Sequence, residues 1–358
     1  MTTLYVLSKS EVKINAVVES GFCSIFGKIE YVDKSMYEDA EKVIEQPFNN
    51  GGQKVCRGRI LTFLEKQKLT EMDWVLSIEN YILHENSEAF DVCHVELYND
   101  DHYEYVDGPR AKFPYSFYEK LIQEKSIMSG NEVIGYARTV GNIVKQVKEQ
   151  EGINVSDKDW INLFNEFDRK DQIVATLCRI NFKNYLHRQT KTYHDFPKKG
   201  IEFDHVIELF SNSMHVGMIK WAFRNYFREI NSTNTVFVGL EARGFPIASF
   251  FSCIFNCPFI MIRKKDKLPG EVYTESYGKE YGKDVFEIQK NAINPGSNVI
   301  IVDDVVATGG SLVGAHTIVQ KFCPTSVRFF VMAQIDLCLD DRKKTMGKLE
   351  EALNIFFF

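Results

Sequence analysis

The amino-acid sequence predicts an α/β protein built as two three-layer α/β domains. Short apolar, β-branched runs alternate with helical patterns along the whole chain, as in sheets covered by helices. At 358 residues the chain is long enough for two domains with separate cores. One run, Val299 to Val302, ends abruptly in Asp303-Asp304, and a small-residue loop then opens a new helical pattern. That order reads as a buried parallel strand, a turn and a helix N-terminus.

The first half opens with a strand, Leu4 to Leu7, then Ser8-Lys9-Ser10-Glu11-Val12-Lys13 and a helical pattern through Val18. Further on come Glu45-Gln46-Pro47-Phe48, a basic segment from Gln53 to Arg59, and a strand, Trp74 to Glu79. Asn99-Asp100-Asp101-His102-Tyr103-Glu104 reads as a solvated hairpin turn rather than a metal cluster. Gly108-Pro109-Arg110-Ala111-Lys112-Phe113-Pro114 and Phe167-Asp168-Arg169-Lys170-Asp171-Gln172-Ile173 complete this half.

The second half carries the sharper chemistry. Tyr193-His194-Asp195-Phe196-Pro197-Lys198-Lys199-Gly200-Ile201-Glu202-Phe203 comes first, and Thr235 to Leu240 is a buried strand running into Glu241-Ala242-Arg243-Gly244-Phe245. Phe259 to Ile262 is another strand, ending in a cluster of cations: Arg263, Lys264, Lys265 and Lys267. Tyr273 to Ile288 is rich in glycine and polar residues, which predicts a mobile loop. After Asp303-Asp304, the loop Ala307-Thr308-Gly309-Gly310-Ser311 leads into the helical pattern Leu312 to Lys321. Free backbone N–H groups and the positive end of the helix dipole make this loop an anion site. Its glycines admit a phosphate closely, Thr308 and Ser311 add hydroxyl donors, and the paired aspartates would face hydroxyls one sugar away. A phosphorylated ribose fits both demands. A P-loop is excluded, because the Gly-x-x-x-x-Gly-Lys-Ser/Thr spacing is missing. The terminal Ile355-Phe356-Phe357-Phe358 reads as a last buried strand.

These motifs, in this order, resemble the type I phosphoribosyltransferases and among them the adenine phosphoribosyltransferases. The resemblance covers residues 182–358 and implies a type I phosphoribosyltransferase fold with a parallel sheet core. It implies a purine base joined to phosphoribosyl pyrophosphate, with Mg²⁺ bridging the phosphates and its protein ligands unassigned. Under it, Asp303 and Asp304 hold the ribose hydroxyls, and Ala307, Thr308, Gly309, Gly310 and Ser311 hold the 5-phosphate. Arg243, Lys264 and Lys267 stabilise the pyrophosphate leaving group, with Arg263 in the same cluster. Phe196, Pro197, Ile201 and Phe203 belong to the hood over the base. Glu280 and Tyr281 sit in a flap that excludes water, Glu280 at the purine's imidazole edge. A homodimer is implied as well. The chain departs from the family at Asp204-His205-Val206, where Arg-Asp-Ile is usual, and at Ala248, where glycine is frequent. Two alternatives therefore stand: transfer to another base (hypoxanthine, guanine or nicotinamide), or a regulator that binds phosphoribosyl pyrophosphate without turnover.

Residues 1–181 resemble, more faintly, the inosine/xanthosine triphosphatases. In that family an early lysine binds phosphates, and acidic residues after Gln-Pro and after Val-x-Ile-Glu hold magnesium. Lys13 and Glu79 match, but Ser10 and Glu11 replace the Asn-Pro, and Gly51 and Gly52 stand where two glutamates are expected. A hard cation needs oxyanion ligands, so an inactive or repurposed domain is the expectation.

Composition bounds the remaining classes. A net charge of −6 argues against a nucleic-acid partner. No apolar stretch approaches membrane-spanning length, and the N-terminus lacks the basic start and apolar region of a signal peptide. Eight cysteines form no Cys-x-x-Cys pair, which predicts reduced thiols in a cytoplasmic compartment. Cys253 and Cys257 are expected together on a buried helix.

Overall fold

The computed structural model describes residues 2–38, 44–155, 160–279 and 282–357. The chain divides into two compact units, Met1–Asn181 and Phe182–Phe358.

The first unit runs β1 (Thr3–Val6), α1 (Glu11–Glu19), β2 (Lys28–Tyr31), β3 (Gln46–Pro47), α2 (Gly51–Lys66), β4 (Trp74–Glu85), β5 (Glu88–Asn99) and β6 (His102–Phe113). It then continues through α3 (Tyr115–Leu121), β7 (Ser126–Ser129), β8 (Glu132–Tyr136), α4 (Val140–Gln150) and α5 (Arg169–Leu177). The main sheet has the order β2-β1-β4-β5-β6, and β3-β8-β7 form a second, small one. β1 pairs in parallel with β2 and β4, while β4, β5 and β6 are antiparallel. The β5–β6 turn sits where the acidic run predicts it, and Asp100 and Asp101 take positive φ there, as two-residue hairpin turns require. Helices cover both faces. On one, Ile60 and Phe63 of α2 pack on Leu7, Val32 and Val75. On the other, Gly108 of β6 lets α5 approach so closely that a Cβ there would meet the Thr176 hydroxyl at 2.0 Å. A reciprocal Asp168–Asp171 capping box starts α5.

The second unit runs α6 (Lys183–Arg188), β9 (Thr192–His194), β10 (Glu202–Asp204), α7 (Ser213–Tyr226), β11 (Thr235–Leu240), α8 (Gly244–Phe255) and β12 (Phe259–Lys264). Next are β13 (Val272–Lys279), β14 (Gly282–Gln289), β15 (Asn298–Val306), α9 (Gly310–Gln320), β16 (Ser326–Gln334), α10 (Leu339–Met346) and β17 (Leu353–Ile355). Its sheet has the order β13-β14-β12-β11-β15-β16-β17. The strands from β12 to β17 are parallel, and β14 and β13 add an antiparallel edge. Alternation along each strand sends Val236, Val238, Val299 and Ile301 to a core shared with Leu312, Ala315 and Ile318 of α9. The opposite face is aromatic: Phe223 of α7, Phe251 of α8 and Phe330 of β16 lie within 4.4 to 5.2 Å of one another, centroid to centroid. This is a three-layer α/β fold with a parallel core, as the alternation of runs predicts.

Three expectations about elements need correction. Tyr273 to Ile288 is mostly a paired hairpin, β13 with β14, rather than an irregular loop. Its alternate residues Phe286 and Ile288 are buried in the sheet core, and that burial outweighs the glycines. The helix expected to carry both Cys253 and Cys257 ends at Phe255; Cys253 is exposed and Cys257 is buried beyond the helix end. The terminal strand is Leu353–Ile355, with Phe356 and Phe357 buried after it, while Phe358 lies outside the described residues.

Candidate active site

The second unit's cavity, about 560 Å³, opens at the carboxyl ends of β11, β12 and β15. Ligand crevices of open parallel sheets lie at such strand ends. β15 runs through Asp303 and Asp304 to Val306, so the paired carboxylates stand on a hydrogen-bonded strand and not in the turn after it. The whole loop Ala307-Thr308-Gly309-Gly310-Ser311 lines the cavity and leads into α9. Gly309 holds φ +78°, and a Cβ there would lie 2.6 Å from Met346 Cγ, so both conformation and space select glycine.

Asp304 is buried, and Arg243 Nε approaches its Oδ2 to 2.7 Å. The contact lacks hydrogen-bond alignment, so Oδ2 keeps acceptor capacity for a hydroxyl. The Asp304 amide donates to Asp303 Oδ1 at 3.0 Å. Burial, and then the adjacent Asp304 charge, hold the half-buried Asp303 carboxyl well above the ordinary carboxylate range. Burial raises Asp304 too, against the opposing pull of Arg243. Only as carboxylates are the two groups acceptor-only, and hydroxyl donors or cations arriving with a ligand would favour that charged form against burial and mutual repulsion.

Arg243 comes from the turn between β11 and α8, and its guanidinium lies 4.8 Å from the Phe203 ring centroid. Gly244 seats α8 against β15: a Cβ would stand 2.4 Å from the Val302 carbonyl oxygen. Glu241, to which the sequence reading gave no role, accepts a hydrogen bond from the Lys264 amide at 2.8 Å and faces Arg263 Nε at 3.4 Å. Burial works to raise its carboxyl, but that amide bond and the Arg263 and Lys264 charges bring it below its ordinary value. Its signal in the sequence was its place at the carboxyl end of a buried strand.

The basic cluster divides. Lys264 lines the cavity; Arg263 turns to Glu241 and to the Lys267 carbonyl, and neither Arg263 nor Lys267 lines it. Pro197 and Ile201 of the hood line it too. Phe203 is buried behind Arg243, while Phe196 is half exposed and packs on Phe203 at 5.2 Å. Lys198, Phe286, Ile335 and Cys338 also line the cavity, brought there by folding with no local motif to mark them. Glu280 and Tyr281 lie outside the described residues. No cluster of three or more His, Cys, Asp or Glu able to hold a metal occurs among the described residues. The cavity wall does offer the Asp303 and Asp304 carboxylates, the kind of oxygen donor that Mg²⁺ takes beside substrate oxygens and water.

The first unit has a cavity of about 910 Å³ at the start of α1, lined by Lys13, Glu38, Arg59, Glu79, Asp91 and Arg169 among others. Lys13 donates to the Ile78 carbonyl at 2.5 Å and lies 3.6 Å from Glu79. Arg59 bridges Glu79 and Glu38, and Arg169 forms a two-pronged pair with Asp91 at 2.6 and 3.1 Å. Burial would raise Glu79, but Lys13 and Arg59 bring its carboxyl down to about 2.

Residues 212–356 match the family model for the phosphoribosyl transferase domain. Adenine phosphoribosyltransferase of Yarrowia lipolytica is 37% identical over 161 residues, spanning 44% of this chain and 88% of that protein. Adenine phosphoribosyltransferase 1 of Saccharomyces cerevisiae is 38% identical over 164 residues, spanning 45% and 87%. A crystal structure of the Saccharomyces cerevisiae enzyme, complexed with an imino-altritol bisphosphate and adenine, aligns at 35% identity and a TM-score of 0.44, covering 49% of this chain and 98% of that one.

Proposed function

Because the chain belongs to the adenine phosphoribosyltransferase family, we propose that its second unit joins adenine to phosphoribosyl pyrophosphate, giving AMP and pyrophosphate in purine salvage. The observation that carries this reading is the convergence of the Asp303-Asp304 pair, the 307–311 loop, Arg243 and Lys264 on one cavity. The loop amides and the Thr308 and Ser311 hydroxyls would hold the 5-phosphate, and Asp303 and Asp304 the ribose hydroxyls. As the bond between C1′ and the pyrophosphate oxygen breaks, charge builds on the leaving group, and Arg243 and Lys264 of the cavity wall would meet it. The base nitrogen then forms the new bond to C1′ and gives up its proton, with Glu280 assigned to that edge by resemblance. Bound Mg²⁺ would neutralise the phosphate chain, and Glu241, Asp303 and Asp304 are carboxylates of the cavity wall that could help to hold it. Pro197 and Ile201 would cover one side of the base.

We further read the protein as a cytoplasmic homodimer. No helix among the described residues is long and apolar enough to cross a membrane, and two-fold dimers are the commonest soluble assembly. A monomeric mass by light scattering at micromolar concentration would reject the dimer. The first unit is read as a triphosphatase-like domain without effective catalysis. The departure from the family at Asp204 is absorbed outside the cavity, where Asp204 accepts from the Thr192 hydroxyl at 2.6 Å and faces His187 at 3.6 Å. The test is incubation with phosphoribosyl pyrophosphate, Mg²⁺ and each base separately. AMP from adenine is expected. Product from another base alone would overturn the specificity, and binding without turnover would make the protein a regulator.

A further inference from the structure

The first unit's cleft has the carboxylates of a cation site and supplies its own cations. Glu79 uses both oxygens: Oε1 accepts from the Asn80 amide at 3.0 Å, and Oε2 meets Arg59. Glu38 lies between two cations, with Oε1 at 2.7 Å from Arg59 but out of hydrogen-bond alignment, and Oε2 at 3.2 Å from Lys34. Asp91 is held by Arg169 and by the Asn80 amide group at 2.8 Å. Arg59 and Lys13 together carry the two positive charges of a divalent ion and sit against the two carboxylates, Glu38 and Glu79, that such an ion would need. Nor is there room for acidic side chains at the start of α2. A Cβ at Gly51 would lie 2.1 Å from the Ile134 carbonyl oxygen, and one at Gly52 would lie 2.5 Å from the Tyr81 ring.

We propose that Arg59, seconded by Lys13, is a built-in cation standing between Glu38 and Glu79 where a cleft of this chemistry would take a divalent metal, so that the first unit is metal-independent. A planar guanidinium can bond one carboxylate through each terminal nitrogen, which a hydrated Mg²⁺ can match only by shedding water. The exchange has a functional meaning. A metal carried in on a nucleotide's phosphates would find Glu79 already paired with Arg59 and Lys13, so the cleft would add no carboxylate to hold it for hydrolysis.

Mn²⁺ alone is the probe. The full-length protein, without phosphoribosyl pyrophosphate, is titrated with MnCl₂ while free Mn²⁺ is followed by electron paramagnetic resonance. Wild type and Glu79→Gln should take up Mn²⁺ equally. Arg59→Met should gain a site at least tenfold tighter than any wild-type uptake, and Arg59→Met/Glu79→Gln should lose it again. A wild-type site abolished by Glu79→Gln would overturn the proposal, as would a folded Arg59→Met protein that gains no site. If Arg59→Met does not fold, Arg59→Ala is prepared in dilute guanidinium chloride. Mn²⁺ must then replace guanidinium in sustaining its melting temperature, and failure to do so counts against the built-in cation.

Discussion

Asp304 illustrates how a residue proposed to bind substrate can work against the fold that holds it. Its carboxyl is buried, beside a second carboxyl and a single guanidinium. Under the proposed function, Asp303→Asn and Asp304→Asn each remove an acceptor for a ribose hydroxyl, a loss of about 1–3 kcal/mol for a poorly paired group. The expected outcome is a fall in kcat/KM for phosphoribosyl pyrophosphate of about 5- to 150-fold, read by steady-state kinetics. Normal kinetics in the double variant would move the site elsewhere. Stability should respond in the other direction. Asp303 is raised in the folded state, so its penalty is absent below the unfolded carboxyl value, about pH 4, and grows as pH rises. Asp303→Asn should therefore melt higher than wild type at pH 8 and equally at pH 3. Glu79 has the opposite sign: its stabilisation is complete above about 4.5 and is lost as pH falls toward about 2. Glu79→Gln should melt lower than wild type at pH 7, with the gap closing in acid.

Among elements, the contact between α8 and β15 is the tightest constraint on the site. Gly244→Ala would push a methyl group against the Val302 carbonyl and, at 3.2 Å, the Asp303 Cα. Neither is the end of a flexible side chain, so strand and helix must separate, at a cost of about 1–3 kcal/mol. Gly58 offers the contrast, lying inside α2 with nothing within 4 Å of a Cβ. Gly58→Ala should stabilise by about 0.5–1 kcal/mol through helix propensity. Urea unfolding of the two variants should move the midpoint in opposite directions, and a stable, active Gly244→Ala protein would mean that this approach is not needed. The sequence made β11, β15, α9 and the phosphate loop legible, because each pairs an apolar run with a turn whose chemistry demands particular residues. It misled at β13 and β14, where glycines and polar residues at the tip masked the alternation of Phe286 and Ile288 beneath. The roles of Glu241 and Cys338 at the cavity were hidden for a different reason. Side-chain partners across strands depend on register, and no local pattern reports register.

At the scale of the whole molecule, the chain joins a unit whose site is open to substrate with one whose cleft is closed on its own charges. The last prediction concerns that asymmetry. Incubated with inosine triphosphate and Mg²⁺ but no base, the full-length protein should release phosphate or pyrophosphate feebly or not at all. Hydrolysis of this kind calls for a metal that polarises the phosphate chain and generates hydroxide. In the first unit Glu79 is committed to Arg59 and Lys13, Glu38 to Arg59 and Lys34, and Asp91 to Arg169. Lys13, which the sequence offered as a phosphate ligand, points instead at the Ile78 carbonyl and Glu79. A triphosphate could still displace the surface pair of Lys9 with Asp33, because exposed ion pairs are worth little, so weak binding without turnover is compatible with the geometry. Release of pyrophosphate is measured beside the Glu79→Gln variant. Robust release that this variant abolishes would mean that the carboxylate trades its arginine for a metal when nucleotide arrives. Release that survives the variant would place the hydrolysis outside this cleft.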